Sequence, residues 1–537
     1  MTVQPHSNGE MWLVRYDIDE PVEGLLFLRQ RNQFRSRTWT GMSGGAMVAS
    51  SRGVEVIAGR EPLRSFEFLV RPYFGETQKD YEFFVRFGDG GTVVYTGHMS
   101  AIPVNCAGDC RVNQPEGIGT YKITYNFIPR PGEHVLIDGA PSTAPVSWDE
   151  EGLGRFVYFG RQVPVSRAGF TYLGDARSPD WVAQEIERLA LPLIQYYSSQ
   201  TGYPLARAPL VFLSFDPYSS WGARGGVLPG QVQLSIGGSE WRARSPEHVN
   251  RFQRLLAHEL AHLWNGDLFQ NAGEDGQSWM HEGGAEAFAL RALRDGGHLS
   301  ETRYRDLHTE AINECTAGLS GVALVESDAF RRFQNYYTCG TVINLLAERM
   351  SAARAGSLFR LWGDIFRRAS GGRYSSHTFF RAVEDAASVV QAGGQLRALV
   401  HERLPRPDKY TFDLLREYGI EVENRFESAP LWFVRSSNRR LVSELVRQNC
   451  GGQIEDAGEA LAVSAPGECP YLRSGDRVVR LEYVAGLDDP NLYEIYVQSC
   501  TQRGQVSVQV EGRGPVALPC QAVLEKPVYA VWTGANE

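Results

Sequence analysis

The 537-residue sequence has no apolar run close to the roughly 20 residues that a membrane-spanning helix requires, so it predicts no transmembrane segment. Its first residues, MTVQPHSNGEMW, lack a basic region and an apolar core, and we therefore expect no signal peptide within this chain. Positive charge is also scarce, with 54 Lys and Arg against 63 Asp and Glu and a formal net charge of −9. This balance disfavours nucleic acid or an anionic membrane as a partner, because phosphate binding requires a positive field.

The cysteines lack any CxxC pair, which argues against a zinc ribbon. Their even number and loop-like positions are typical of disulfides formed in an oxidising compartment, and predict a periplasmic or secreted protein. Unpaired thiols in a cytosolic protein are the alternative. Two cysteines lie before residue 150, two between 300 and 340 and four after 449, so each part of the chain can close its own pairs. The eight are Cys106, Cys110, Cys315, Cys339, Cys450, Cys469, Cys500 and Cys520.

The length exceeds what one hydrophobic core can organise, and about 150 residues per domain gives roughly three or four domains. Short alternating or β-branched runs, such as SFEFLVRPYF and TYKITYNFIP, predict a sandwich-like β-domain over residues 1–175. Helical spacing of apolar residues predominates from about 246 to 403, within a predicted domain at 176–415. β-character returns in a third domain at 416–537, as strand, short helix and hairpin. The predicted fold class is therefore multidomain α+β.

The stretch LLAHELAHLWNGDLF carries the clearest chemical signal in the sequence. His258 and His262 are one helical turn apart, so both imidazoles project from one face at a spacing that suits a single Zn²⁺. Glu259 lies beside them, where it reaches a metal-bound water without being a ligand. Because HExxH also occurs by chance, a helix with two buried histidines is the structural alternative.

A catalytic zinc needs a third protein ligand and an open position for water. Nineteen residues separate His262 from Glu282, which lies early in a second apolar helix, WMHEGGAEAFAL. We assign Glu282 as the third ligand. Glu286, one turn later, is placed to accept a hydrogen bond from a ligand histidine, and the exchanged roles are the alternative. His281 points away from this face.

These segments resemble the gluzincin metallopeptidases, in which HExxH is followed by an acidic ligand on the next helix. The pattern HELAHLWNGDLF…WMHEGGAEAF looks like the zinc segment of the aminopeptidase N and leukotriene A4 hydrolase relatives. HLWNG is most similar to the glycyl aminopeptidase family. The spacing before Glu282 is one residue longer than usual in the aminopeptidase N group. The resemblance implies a thermolysin-like catalytic domain with a helical extension, a zinc cofactor and a peptide or protein substrate.

Those families also carry a tyrosine in a Tyr-x-x-Gly segment that donates a hydrogen bond to the tetrahedral intermediate. Tyr337, in NYYTCGTVINLL, matches this segment 55 residues beyond Glu282. The chemistry requires such a donor, since it shares the oxyanion charge with the metal. Tyr336 is the neighbouring alternative for this role. The structural alternative is that both tyrosines are simply aromatic residues of a helical core. Cys339 is expected to bridge to Cys315 and hold this helix.

The C-terminal region from CPYLRSGDRVV to GPVALPC resembles a PDZ domain, with a Gly-Asp strand, a short helix and a closing hairpin. A β-domain, a gluzincin core and a PDZ domain form the layout of the glycyl aminopeptidase family. The resemblance therefore implies a C-terminal PDZ-like domain with a peptide or protein ligand. No Gly-Leu-Gly-Phe carboxylate-binding loop is present in it, so peptide binding there is an open expectation.

The glycine-rich segment GARGGVLPGQVQLSIGG occupies the place of the families' substrate-binding strand. We expect Gly225, Gly226, Val227 and Leu228 to bind an extended substrate through backbone hydrogen bonds. The glutamate that the resemblance implies for the substrate's amino group is missing, since Leu228 and Pro229 stand where it is expected. Asp216, Glu240 or another acid are the alternatives for that role.

The three metal ligands, Glu259 and Tyr337 together predict a zinc metallopeptidase. In this enzyme Glu259 transfers the proton and Tyr337 stabilises the oxyanion. An aminopeptidase with atypical amino-terminus recognition and an endopeptidase of the same fold both fit. A non-catalytic peptide-binding scaffold with a degenerate core is the alternative from another class, and epoxide hydrolysis, known in one gluzincin branch, is a more distant one.

Overall fold

The computed structural model describes the chain apart from residues 7–8, 31, 52–53, 76, 78–79, 105–121, 151–153, 220–221, 274–275, 353, 388, 390, 452, 458–459, 465–468, 483–486, 522–523 and 536–537. The described residues form two compact units, Met1–Gln270 and Asn271–Glu537. The predicted domain boundaries at 175 and 415 are not tested by this division and stay predictions. Cys106 and Cys110 lie outside the described residues.

The first unit is rich in strands, as the alternating apolar pattern predicts. Its helices are α1 (Arg35–Thr38), α2 (Asp180–Thr201) and α3 (Pro246–His262). Its strands are β1 (Thr2–Pro5), β2 (Trp12–Phe27), β3 (Trp39–Ser43), β4 (Met47–Ser51), β5 (Val54–Val70), β6 (Phe84–Arg86), β7 (Thr92–Tyr95), β8 (Ala101–Val104), β9 (Ile123–Phe127), β10 (His134–Leu136), β11 (Val146–Glu150), β12 (Phe156–Gly160), β13 (Val165–Arg167), β14 (Phe170–Gly174), β15 (Leu210–Asp216), β16 (Gly222–Leu228) and β17 (Gln231–Gly237).

Three sheets are stacked in this unit. An eight-stranded sheet follows the order β11-β9-β1-β2-β5-β3, with β4 on β5 and β8 on β2, and a four-stranded sheet follows β10-β12-β7-β6. One core, which includes Trp12 and Phe159, joins these two sheets as in a sandwich. A second core, which includes Phe156 and Phe212, joins the four-stranded sheet to a five-stranded mixed sheet of order β13-β14-β15-β17-β16. Strand β16 therefore ends the mixed sheet among the described strands.

Helix α3 has a well-defined start and an unusual end. The Ser245 hydroxyl accepts a hydrogen bond from the His248 backbone N–H (3.1 Å), and Pro246 occupies the first turn, where no N–H is needed. After His262 the chain continues as a π-helical segment, Leu263–Leu268, a geometry that is frequent at functional sites. The Tyr197 hydroxyl of α2 donates to the Ala257 carbonyl of α3 (2.9 Å), which fixes the histidine-bearing end.

The second unit begins within β18 (Gln270–Asn271) and is mainly helical, as predicted up to residue 403. Its helices are α4 (Ser278–Asp295), α5 (Glu301–Gly318), α6 (Gln334–Ser351), α7 (Leu358–Arg368), α8 (Ser376–Ala386), α9 (Ala392–His401), α10 (Pro407–Glu417), α11 (Leu431–Cys450) and α12 (Leu492–Arg503). Its strands are β19 (Arg373–Tyr374), β20 (Ile420–Asn424), β21 (Gln453–Ala457), β22 (Ala460–Ser464), β23 (Arg477–Leu481), β24 (Gln505–Val510), β25 (Gly514–Pro519) and β26 (Ala530–Ala535).

The C-terminal part of this unit contains an antiparallel sheet of order β21-β22-β23-β24-β25, with α12 between β23 and β24. This is the strand, short helix and hairpin that the sequence predicts. Helix α11 was not expected, because its region was interpreted as β-structure. The apolar residues of α11 nevertheless recur at helical spacing, and its last turn is closed by Gly451 in the left-handed conformation (φ 63°).

Three disulfides link described cysteines. Cys315–Cys339 joins α5 to α6, which confirms the bridge expected from the sequence. Cys450–Cys469 and Cys500–Cys520 both lie in the C-terminal part of the chain. Each pair therefore closes within its own segment.

Candidate metal centre

The two histidines of α3 face each other in the interior. His258, Glu259 and His262 are all buried, and the Nε2 atoms of the two imidazoles lie 3.1 Å apart. Two nitrogens bound to a tetrahedral zinc at about 2.05 Å lie about 3.3 Å apart. The imidazole spacing therefore fits a common metal ion.

Asn265 sets the tautomer of His262. Its Oδ1 lies 3.0 Å from His262 Nδ1, so Nδ1–H donates and the Nε2 lone pair is left for a metal. Asn265 is fully buried in the π-helical segment. The sequence analysis missed this role, because it depends on a local departure from α-helical geometry.

A third ligand atom completes the set. His258, His262 and Glu282 each offer one ligand atom, and these atoms all lie within 4.8 Å of one another. Two imidazoles and one carboxylate form the donor set typical of a catalytic zinc, in which water takes the fourth position. Glu286 and His281 do not belong to this group among the described residues.

Helices α4 and α6 cross at two glycines, which sets the surroundings of Glu282. A Cβ on Gly340 would lie 2.6 Å from the Gly283 Cα and closer still to the Trp279 carbonyl. The backbones are therefore in direct contact, a distance that only glycine permits. Gly283 follows Glu282 directly, so the crossing fixes the turn that carries this carboxylate.

Tyr337 and Glu286 lie on the same two helices. Tyr337 is half-buried one turn before Gly340, whereas Tyr336 is almost fully buried. The Glu286 carboxylate is buried and acts electrostatically on His308 of α5. Burial, and to a smaller extent the Glu282 charge, raises the pKa of Tyr374.

Strand β16 runs beside Glu259. A Cβ on Gly225 would lie 2.5 Å from Glu259 Cγ and 2.6 Å from its Cδ, so the glycine faces the proposed base directly. Gly226 faces the opposite side of the sheet, against Tyr81. The Leu228 side chain is buried in the second core.

An acid from another part of the chain lies beside β16. Glu82 forms an ion pair with Arg224 and accepts a hydrogen bond from the Ser235 hydroxyl (3.1 Å). Burial raises the pKa of Glu82, while Arg224 and Ser235 oppose that rise. Of the acids considered from the sequence, Asp216 accepts from the Tyr218 N–H, and Glu240 lies against Gly238.

Comparison with known proteins shows which solved structures have a similar fold. No family model and no curated protein matches the chain. An aminopeptidase N family protein from Idiomarina loihiensis matches its structure with a TM-score of 0.61 and 13% identity, over 99% of this chain and 97% of that one. An M1 zinc metallopeptidase from Deinococcus radiodurans, bound to a Tyr-Ser-Ala substrate, matches 76% of this chain and 94% of its own (TM-score 0.47, 14% identity). The chain has a mixed α+β fold similar to the Idiomarina aminopeptidase N family protein.

Proposed function

We propose that this chain is a zinc-dependent metallopeptidase of the gluzincin type that hydrolyses peptide bonds. The observation that carries this proposal is the grouping of the His258, His262 and Glu282 ligand atoms within 4.8 Å, with Glu259 on the turn that carries His258. The likeness of the fold to an aminopeptidase N family protein supports it.

Each residue of the site has a separate role in the proposed reaction. A zinc ion held by His258, His262 and Glu282 supplies the Lewis acidity that activates water. Glu259 takes the proton from the attacking water and returns it to the leaving amine, as a general base and then a general acid. Tyr337 donates its hydroxyl hydrogen to the developing oxyanion. Asn265 and Glu286 orient the ligand histidines through hydrogen bonds.

The substrate is an extended peptide that pairs with the edge of β16. This strand ends its sheet, and its glycines leave backbone room beside Glu259. The glutamate that the resemblance implies for the substrate's amino group is missing from β16, which favours an atypical mode of amino-terminus recognition, since an ammonium buried without a partner carries a large desolvation cost.

The C-terminal sheet β21–β25 with α12 forms a PDZ-like domain that binds a second peptide or protein segment. Its strand, helix and hairpin order supports this assignment. The three disulfides support an oxidising compartment, the periplasm or the extracellular space. None of the helices that the described residues form is long and apolar enough to cross a bilayer.

Replacing the base tests the proposal directly. Glu259→Gln keeps the shape of the side chain but cannot accept the proton, so zinc content is expected to stay near one per chain while kcat falls at least 100-fold. Zinc is measured by elemental analysis and turnover with unblocked peptides. Glu247→Gln, an exposed acid on the first turn of α3, is the matched control and should retain activity.

Two outcomes contradict this proposal. Purified wild-type protein without zinc, or zinc-loaded protein without turnover, would favour a peptide-binding scaffold. Full activity of the Glu259→Gln variant would assign the base to another residue.

A further inference from the structure

Among the strands that the described residues form, β16 pairs only with β17, and its other edge has a defined pattern of backbone groups. A two-residue turn, Pro229–Gly230, joins β16 to β17 and places Leu228 opposite Gln231. The pair that flanks such a turn is hydrogen-bonded, and bonded and non-bonded pairs alternate along an antiparallel ladder. Ala223, Gly225 and Val227 therefore direct their N–H and C=O groups away from β17, towards the open side of the sheet.

Tyr81 occupies the last of these outward positions. Its hydroxyl donates to the Val227 carbonyl at 2.6 Å. Its ring lies over Gly226, where a Cβ would be 2.6 Å from the ring Cε1. The carbonyl that would otherwise accept from a paired peptide is therefore already bound, and the ring covers the adjoining face.

The position of Tyr81 is fixed by its surroundings. Its ring packs edge-on against Tyr95 and Phe156, with centroid distances of 4.9 Å and 5.4 Å. His98 Nδ1 lies 3.2 Å from the Arg35 guanidinium, which can only donate, so Nε2–H of His98 donates to the Tyr81 carbonyl at 2.8 Å. These contacts hold Tyr81 in place at the Val227 end of the β16 edge.

We propose that Tyr81 is a specificity-determining residue that closes the amino-terminal side of the substrate site and makes the enzyme an exopeptidase. This rests on the proposed peptidase function. A peptide paired antiparallel to β16 runs opposite to it, so its amino-terminal part lies towards Leu228, the end that Tyr81 closes. The end at Gly222 carries the rest of the substrate.

The available length sets the product size. Gly225 marks the bond to be cut, because it faces Glu259, and Val227 lies two residues further along the strand. At about 3.4 Å per residue, about 7 Å of edge separates them. That length accommodates one or two substrate residues, so the enzyme releases an amino acid or a dipeptide from the amino terminus.

The test is a product analysis of a linear decapeptide with free termini, incubated with zinc-loaded protein and read by mass spectrometry. Wild-type enzyme is expected to give a ladder shortened only from the amino terminus. Tyr81→Ala opens the edge, and internal fragments should rise at least tenfold relative to amino-terminal products. Tyr81→Phe keeps the ring and loses only the hydroxyl, so a smaller rise is expected with the fold intact.

Tyr125→Phe is the control for loss of a buried tyrosine hydroxyl, since its hydroxyl bonds Ser100 and Thr96 away from β16. It should give the wild-type ladder. Internal fragments from wild-type enzyme, trimming from the carboxyl terminus, or an unchanged ladder in both folded Tyr81 variants would each overturn the role of Tyr81 while leaving the peptidase function standing. A complete lack of cleavage by zinc-loaded wild type would overturn both.

Discussion

At the scale of single residues, Gly225 determines how close β16 approaches the proposed base. Glycine within a strand often marks a close approach of another group, and here that group is the Glu259 side chain. Gly225 is not among the residues with positive φ, so its requirement comes from space and not from backbone conformation. Any side chain at this position competes with Glu259 for the same volume.

Gly225→Ala is therefore expected to displace the Glu259 carboxylate and lower kcat/KM roughly 100-fold, as a misplacement of about 1 Å can do. Zinc content should not change, because the ligand histidines lie on α3 and not on β16. Gly394→Ala is the control, since a Cβ there meets nothing within 4 Å. Wild-type kinetics in the Gly225→Ala protein would show that Glu259 has room to move.

The site residues that the helical repeat alone predicts are those on one helix, whereas Glu282 was assigned from the need for a third ligand on the next helix. His258, Glu259 and His262 share one helix, so their geometry follows from the helical repeat. Asn265 could not be found in this way, because the π-helical segment alters the repeat immediately after His262. Tyr81 escaped notice for a different reason: it is 146 residues from Val227, and only the fold brings them together.

At the scale of elements, the crossing of α4 and α6 gives a physical reason for a Tyr-x-x-Gly segment. Gly340 allows the α6 backbone to touch α4 at Gly283, one residue after Glu282. The glycine therefore fixes how closely α6 lies against α4. It also fixes the position of Tyr337, which lies one turn earlier on α6. Cys315–Cys339 fastens the same turn to α5.

Gly340→Ala should force the two helices apart, because its Cβ would overlap backbone atoms that cannot rotate away. We expect a loss of about 1–3 kcal/mol in the free energy of unfolding, typical of overpacking. Turnover should also fall, since Tyr337 moves with α6. Denaturant unfolding and kcat are the measurements, and stability equal to that of wild type would contradict the tight crossing.

The fold class and most of the elements were also predictable, because apolar periodicity directly reflects which face of an element is buried. Helix α11 was missed although Leu441, Val442, Leu445 and Val446 follow the helical repeat. The polar run Arg-Ser-Ser-Asn-Arg-Arg before them concealed it.

At the scale of the whole molecule, two buried histidines couple stability to pH. Burial, together with the Arg35 charge, lowers the pKa of His98 well below its usual value. Burial also lowers the pKa of His308 to about 4, against the opposing effects of its hydrogen bond to the Tyr304 carbonyl and of the Glu286 charge. In the unfolded chain both take up a proton near pH 6.5, so acid favours unfolding.

The free energy of unfolding should therefore be fully retained above about pH 6.5 and decrease below it. For His308 the loss is about 2 kcal/mol between pH 7 and pH 5, because the unfolded chain binds one more proton over this range. Denaturant unfolding of the zinc-free wild type and of the zinc-free His308→Gln variant measures it, because the contribution of the other histidines is common to both proteins. His308→Gln should flatten the dependence, and an unchanged slope would contradict the assignment.

The edge of β16 also affects how the molecules behave towards one another. An unpaired strand edge is a template on which copies of a protein can polymerise. Tyr81 occupies the Val227 carbonyl and leaves Ala223 and Gly225 as the outward-facing residues, which corresponds to about four residues of edge against the five or six of a typical strand. Such a short edge suits a flexible peptide better than the edge strand of a second folded copy, and it therefore limits self-association through β16.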